Sequence, residues 1–307
     1  MTGDLLGLVA SGAQMAKSDL YRPMIDLLLA SGVRLEDDRG VLSTCLYHTV
    51  ECQKQREVGA YLAGKGAKVD LVYAAALGDT DRVSSFVDAS GALTADAHGP
   101  FRRDAAERKA RGDTAIRQEA LAWACLNGRD ATVDQLLDLG AAINGFAVIA
   151  GSSMTPLHAA AWAGWEATCA RLLEGGADPT LLETAWANSP IGMAAYCRRQ
   201  NVVDLFRRTC RGRLSIEDTI AIADLADVES AIAGLDPNTV PPGTNARPGV
   251  MLRNAAVYGR ADVVQLLLAR GADPSLRNPE GKTAHDLAAQ RNFVDVMALL
   301  QPAAALR

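Results

Sequence analysis

Cys45, His48 and Cys52 stand in the spacing C-x2-H-x3-C. Steps of three and four return to one face of a helix, so a helix here would set the three side chains in one stripe. Thiolate and imidazole are good zinc ligands, which makes a metal- or small-molecule-binding protein centred on Cys45, His48 and Cys52 one class of function to weigh. A closed structural site needs a fourth ligand, and none stands at a matching spacing. The same stripe serves equally as a packing face, so no metal and no cofactor are assigned. His98 and His285 have no catalytic context, and the acidic residues are dispersed, so no paired-carboxylate site can be picked out. There is no G-x-S-x-G elbow, no phosphate loop and no H-E-x-x-H helix. The chain reads as non-catalytic.

The elements that would have to position such residues repeat along the chain. Residues 155–179 read TPLHAAAWAGWEATCARLLEGGADP. Thr155 suits a helix cap and Pro156 the first helical position, where no N–H is needed. Ala159 to Ala161 let a neighbouring helix approach closely. Gly164 permits a left-handed turn, and Leu172 and Leu173 give the second helix an apolar face. Residues 251–275, MLRNAAVYGRADVVQLLLARGADPS, follow the same pattern, and residues 119–144 follow it around Gly128 and Gly140. The last copy begins at Thr283 and has Asn292 at the turn; Asn tolerates the left-handed conformation.

These segments resemble the ankyrin repeat. The resemblance implies an all-α solenoid of about nine helix-turn-helix units with short hairpin loops, because one such unit cannot bury its own apolar face. The clearest units fall at about 71–88, 118–144, 154–183, 249–279 and 282–301. Degenerate ones are read at about 1–36, 41–70, 188–210 and 214–236, where Arg198 replaces a turn glycine. Gly176 and Gly271 lie 95 residues apart, about three steps of the ~33-residue period, which calls for two eroded repeats between them. Residues 89–117 form an insertion whose run RRDAAERKARGD suits a short exposed helix; its arginines and Lys109 offer a basic edge that Asp104, Glu107 and Asp113 largely offset. Residues 236–249 read as a proline-rich loop. The pattern resumes on both sides of each interruption, so residues 1–307 are read as a single ankyrin-repeat domain.

The resemblance also implies a concave face built from the hairpins and the first helix of each pair, with variable positions just before each turn glycine. Leu126, Trp162, Tyr196 and Tyr258 fall there, and Leu126, Trp162 and Tyr196 form the leading patch. Trp and Tyr are enriched among residues that dominate binding energy. Phe146 and Trp186 fall in hairpin tips as rim contacts, whereas Trp123 and Trp165 are read as packing residues. All of Trp123, Trp162, Trp165 and Trp186 lie in the centre of the array, which points to that zone. His158 belongs to the T-P-L-H motif, where the imidazole ties loops together.

The chain has 307 residues, is 49% hydrophobic and carries a net charge of −5. That balance gives no electrostatic case for nucleic acid. No apolar run approaches the ~20 residues of a membrane span, and the start MTGDLLGLVASG lacks the positive region of a secretory signal. A cytoplasmic protein is expected, and six scattered cysteines agree with that. Few lysines and many alanines suit a GC-rich bacterial genome. The expected function is recognition of another protein through the concave face, with no nucleic acid or membrane partner. The alternative within binding is an immunity or inhibitor protein that neutralises a cognate toxin or enzyme.

Overall fold

The computed structural model describes residues 12–35, 41–48, 54–98, 105–241 and 248–301, together with Leu6, Val9 and Cys52, with the backbone alone for residues 41, 43, 44 and 105–111. The fold is all-α, an ankyrin-type stack of helix pairs. By its contacts the chain divides into two compact units, Met1–Pro190 and Ile191–Arg307, where a single domain is read from the sequence.

In the first unit the helices are α1 (Ala13–Lys17), α2 (Tyr21–Ala30), α3 (Val41–Tyr47), α4 (Gln55–Gly64), α5 (Leu71–Leu77), α6 (Thr80–Ser85), α7 (Ala105–Leu126), α8 (Asp130–Asp138), α9 (Pro156–Ala163) and α10 (Glu166–Glu174). A hairpin of β1 (Ala147–Ile149) and β2 (Ser152–Met154) precedes α9. First helices pack on first helices: α5 on α7, and α7 on α9. The second unit repeats the scheme with α11 (Pro190–Tyr196), α12 (Gln200–Thr209), α13 (Ile216–Ile222), α14 (Leu225–Ala231), α15 (Val250–Tyr258), α16 (Ala261–Ala269), α17 (Ala284–Gln290) and α18 (Val294–Leu300). There α13, α15 and α17 stack in one row, and α14, α16 and α18 in the other.

Local chemistry sets each start and stop. The Asp70 carboxylate accepts from Tyr73 N at 2.8 Å and caps α5. Thr155 and His158 form a reciprocal box at the start of α9, as Thr283 and Asp286 do for α17. The turn position is left-handed even where glycine is absent, with φ of 56° at Arg198 and 57° at Asn292. Between the stacked layers, Ile220, Val228, Met251, Leu252, Val263, Val264 and Leu267 form the core of the second unit. Each contributes about 1.5–3 kcal/mol on full burial.

The run of α7 is broken at Gly112, with φ 67° and ψ 162°, so the insertion ends in a separate helical segment. Arg102, Arg103 and Asp104 lie outside the described residues, as do the side chains of Glu107, Arg108, Lys109 and Arg111. So do residues 242–247 of the proline-rich loop. Among the described residues no helix is long and apolar enough to cross a membrane.

Helix α3 ends at Tyr47, and the Cys52 N–H donates to His48 O at 3.0 Å. Cys45 is wholly buried, and burial pushes its thiol up to about 12, which opposes the thiolate a metal would need. Among the described residues, no group of three ligating side chains is gathered at one point.

Candidate partner-binding surface

The row of turns expected to face a partner is largely occupied by the protein itself. At three of the turns the residue that follows reaches back to the preceding repeat and satisfies a carbonyl at the end of its first helix. Arg129 Nε donates to Ala76 O at 3.0 Å, and Trp165 Nε1 to Leu126 O at 2.9 Å. In the second unit Arg260 donates to Ile220 O at 3.1 Å. These carbonyls have no partner within their own helix, so the stacking of repeats completes the helix ends.

Leu126 is fully buried, so that member of the leading patch is core. Trp162 is half-buried, and its ring meets the Tyr47 ring edge-on at 5.7 Å. The Arg56 guanidinium lies 5.1 Å from the Trp165 ring. Tyr196 is exposed but carries the Arg291 guanidinium 3.9 Å above its ring, and Arg198 donates to Arg291 O at 3.0 Å. Tyr258 is half-buried, and burial pushes its phenol above the ordinary value. Trp162 belongs to the first unit and Tyr196 to the second. Sequence spacing places these residues on one row; it does not show which distant side chains cover them.

Phe146 and Trp186 stand differently: Phe146 immediately precedes β1, and Trp186 lies on the loop that is fastened to the β1–β2 hairpin. The β1–β2 hairpin turns through Ala150 and Gly151, at φ 53° and 83°. Two successive left-handed residues make the tight turn whose twist matches that of the strands. Alanine is strained there, so Ala150→Asn is expected to raise stability by about 0.5–1 kcal/mol, read as a shift in the urea midpoint. An unchanged or lowered midpoint would contradict this account of the turn.

The loop, residues 182–188, is held by the Thr184–Ser153 pair: Thr184 N donates to Ser153 O at 3.1 Å, and Ser153 N to Thr184 Oγ1 at 2.9 Å. Beneath it the Glu183 carboxylate is buried and accepts from Ser152 Oγ, from Ala185 N and Trp186 N at 2.7 Å each, and from Asn188 N at 3.2 Å. Burial alone would raise its pKa; the donors outweigh that and hold the carboxyl below the usual range. His158 Nε2 meets Asn188 O at 3.0 Å, which ties the loop to helix α9. On this braced loop Trp186 is 71% exposed, with Leu182, Phe146 and Val148 also exposed. Leu182, Val148 and Glu183 are not singled out by the sequence reading. Glu183 three residues before a tryptophan is the available signal, but its donors come partly from another hairpin.

An exposed aromatic side chain on a backbone held in this way is suited to burial in a partner's surface at little backbone ordering cost.

The ankyrin repeat family model matches residues 153–183 and 252–279. The chain carries ankyrin repeats in those two segments. It is 58% identical over 44 residues to the E3 ubiquitin-protein ligase hecd-1 of Caenorhabditis elegans, covering 14% of this chain and 2% of that protein. It is 30% identical over 179 residues to a transient receptor potential cation channel subfamily A member 1 homolog of the same organism, covering 58% of this chain and 12% of that one. The chain thus spans only a small part of either relative. Among solved structures it is similar to the human ASB11 ankyrin repeat domain, at 22% identity, with 76% of this chain and 98% of that one covered and a TM-score of 0.41. Ankyrin repeats are in general protein–protein interaction modules, and the fold is typically non-catalytic.

Proposed function

We propose that this protein binds another protein through the β1–β2 hairpin and the 182–188 loop of its first unit, with Trp186 as the anchor and the exposed Leu182 and Phe146 contributing apolar surface. The observation that carries this reading is the 71% exposure of Trp186 on a loop three of whose amides donate to the Glu183 carboxylate. An exposed aromatic on a rigid loop loses little conformational entropy when it docks. The concave-face version, centred on Trp162 and Tyr196, has less to support it, because Tyr47 and Arg291 already pack against those rings. The mechanism is stoichiometric recognition, with no chemical step.

The test is capture from native lysate by the tagged protein, compared with Trp186→Ala and with Trp162→Ala. Loss of a central tryptophan anchor costs about 2 kcal/mol or more, so Trp186→Ala is expected to weaken binding some 30-fold with an unchanged melting temperature. Trp162→Ala is expected to act on stability first, through the lost Tyr47 contact. Equal capture by wild type and Trp186→Ala would retire the hairpin and loop surface, and selective loss with Trp162→Ala in a stable protein would restore the concave face.

A further inference from the structure

Two guanidiniums of the second unit are gathered at one aromatic ring with no acid paired to either. Arg198 lies at the turn after α11 and Arg291 at the turn after α17. Their guanidinium carbons lie 4.7 and 5.8 Å from the centre of the Phe293 ring. Each serves the other turn: Arg198 donates to Arg291 O at 3.0 Å, and Arg291 donates to Tyr196 O. Among the described residues those carbonyls are the hydrogen-bond partners of both, and neither meets a carboxylate. Other arginines of the unit do, Arg211 with Asp227 at 3.1 Å and Arg260 with Asp262 at 2.7 Å.

The surrounding sequence does not balance this charge. Residues 187–203 and 287–294 contain no acidic side chain, and Arg199 adds a further cation to the first stretch. Burial, then Asp218 and Glu217, push the Tyr258 phenol up, and Arg291 opposes them. Those two carboxylates face this region from α13, but Asp218 accepts from Ser215 Oγ at 2.8 Å, and neither pairs with Arg198 or Arg291.

The turn at Arg198 also asks for a use of its side chain. Its φ is 56°, where the equivalent turns carry Gly78, Gly128, Gly164 and Gly259. The left-handed conformation costs an arginine about 1–2 kcal/mol that glycine avoids. Strain of this kind collects at ligand clamps and other functional sites.

Stacking decides which donors remain. Arg291 lies 3.9 Å over the Tyr196 ring, and both guanidiniums lie against Phe293, so the rings take their faces and leave their N–H edges. Arg291 Nε is buried, which leaves its terminal nitrogens to meet a ligand; Arg198 is exposed. Guanidinium forks match the oxygens of carboxylate and phosphate. A carboxylate brings two oxygens and one charge, which suit one fork. A phosphate monoester brings three oxygens and about −1.5 to −2 charges at pH 7, which suit two. We infer that Arg198 and Arg291 form a binding site for a phosphoryl group, with Tyr196 and Phe293 holding the forks in place. The site uses no residue of the Trp186 surface, so either reading can fail alone.

The test is calorimetric titration of the full chain with inorganic phosphate, and separately with a phosphoserine peptide, at constant ionic strength. Both probes are expected to bind, and Arg198→Gly is expected to weaken each at least ~10-fold. Glycine suits the left-handed turn, so this variant should melt at or above the wild-type temperature, which separates loss of the site from loss of the fold. Arg291→Lys keeps the charge without the fork and is also expected to weaken both probes. Trp186→Ala should leave both affinities unchanged. Tighter binding of the peptide than of inorganic phosphate would identify a phosphorylated protein segment as the ligand; equal affinities would identify a free phosphate. Binding of neither probe to wild type, or wild-type affinity in Arg198→Gly, would overturn the proposal and leave the two arginines as a clasp between turns.

Discussion

Gly128→Ala is expected to lower the unfolding free energy of the first unit by about 3 kcal/mol, while Gly140→Ala costs only about 1 kcal/mol. Both glycines are left-handed, at φ 64° and 88°. A side chain in that conformation costs about 1–2 kcal/mol whatever surrounds it. The surroundings then differ. A Cβ on Gly140 meets nothing within 4 Å, whereas a Cβ on Gly128 would sit 2.5 Å from Cδ2 of Trp165 and 2.8 Å from both Cε2 and Cε3. The indole cannot simply retreat. Its Nε1 donates to Leu126 O at 2.9 Å, and the Arg56 guanidinium lies 5.1 Å from its ring. Overpacking of this kind adds about 1–3 kcal/mol. The chain's four tryptophans all precede residue 190, so urea unfolding followed by indole fluorescence reports the first unit alone. Equal losses for the two variants would show that the Trp165 ring yields freely, and the turn row would then not be the rigid seam described above.

That seam marks where sequence reading succeeds and where it stops. The repeat was legible from Thr155, Pro156, Gly164 and Gly176, because each does its work within a few residues of itself. Asn292 was readable as a left-handed turn for the same reason. Arg198 was read only as a departure from the pattern, yet it adopts the same conformation at φ 56°. The role of His158 in tying loops together was legible, since the T-P-L-H motif carries its own geometry. Surface status was not. Leu126 and Trp162 occupy equivalent turn positions, but Leu126 is buried under its own stack and Trp162 is met by Tyr47, which arrives from a distant helix pair. Trp186 falls in a loop, as its sequence position suggests, whereas Phe146 precedes β1 instead of sitting at the Ala150–Gly151 turn; both are exposed. What makes the Trp186 loop rigid is a carboxylate served by a hydroxyl and three backbone amides. No one-dimensional pattern assembles that set.

The stability of the first unit is expected to change little between pH 7.5 and 4.5, because two large and opposite linkages cancel, and single substitutions should expose each. His158 is wholly buried, and burial lowers its pKa from 6.5 to about 4, with Asn188 O and Glu183 working weakly the other way. Thr155 N donates to Nδ1 at 3.3 Å and Nε2 meets Asn188 O at 3.0 Å, an arrangement that suits a neutral ring. The unfolded chain therefore binds the proton first. The contribution of His158 is complete above pH 6.5 and is lost as pH falls toward 4, by about 3 kcal/mol in all. Asp70 runs the opposite way. Burial raises its pKa from 3.8 to about 7, helped by the neighbouring Glu119 and opposed by the Tyr73 N–H. Here the folded chain binds the proton first, so stability rises as pH falls from 7 toward 3.8, by about 4 kcal/mol at most. In Asp70→Asn the amide still caps α5 and only His158 titrates, so stability should fall by about 3 kcal/mol on acidification. In His158→Gln only Asp70 titrates, so the variant should be less stable than wild type at pH 7.5 and gain stability toward pH 4.5. Urea midpoints by indole fluorescence at the two pH values decide the matter. If all three proteins share one slope, neither group carries the linkage, and the burial of both side chains must be relieved in solution by a local opening of their turns.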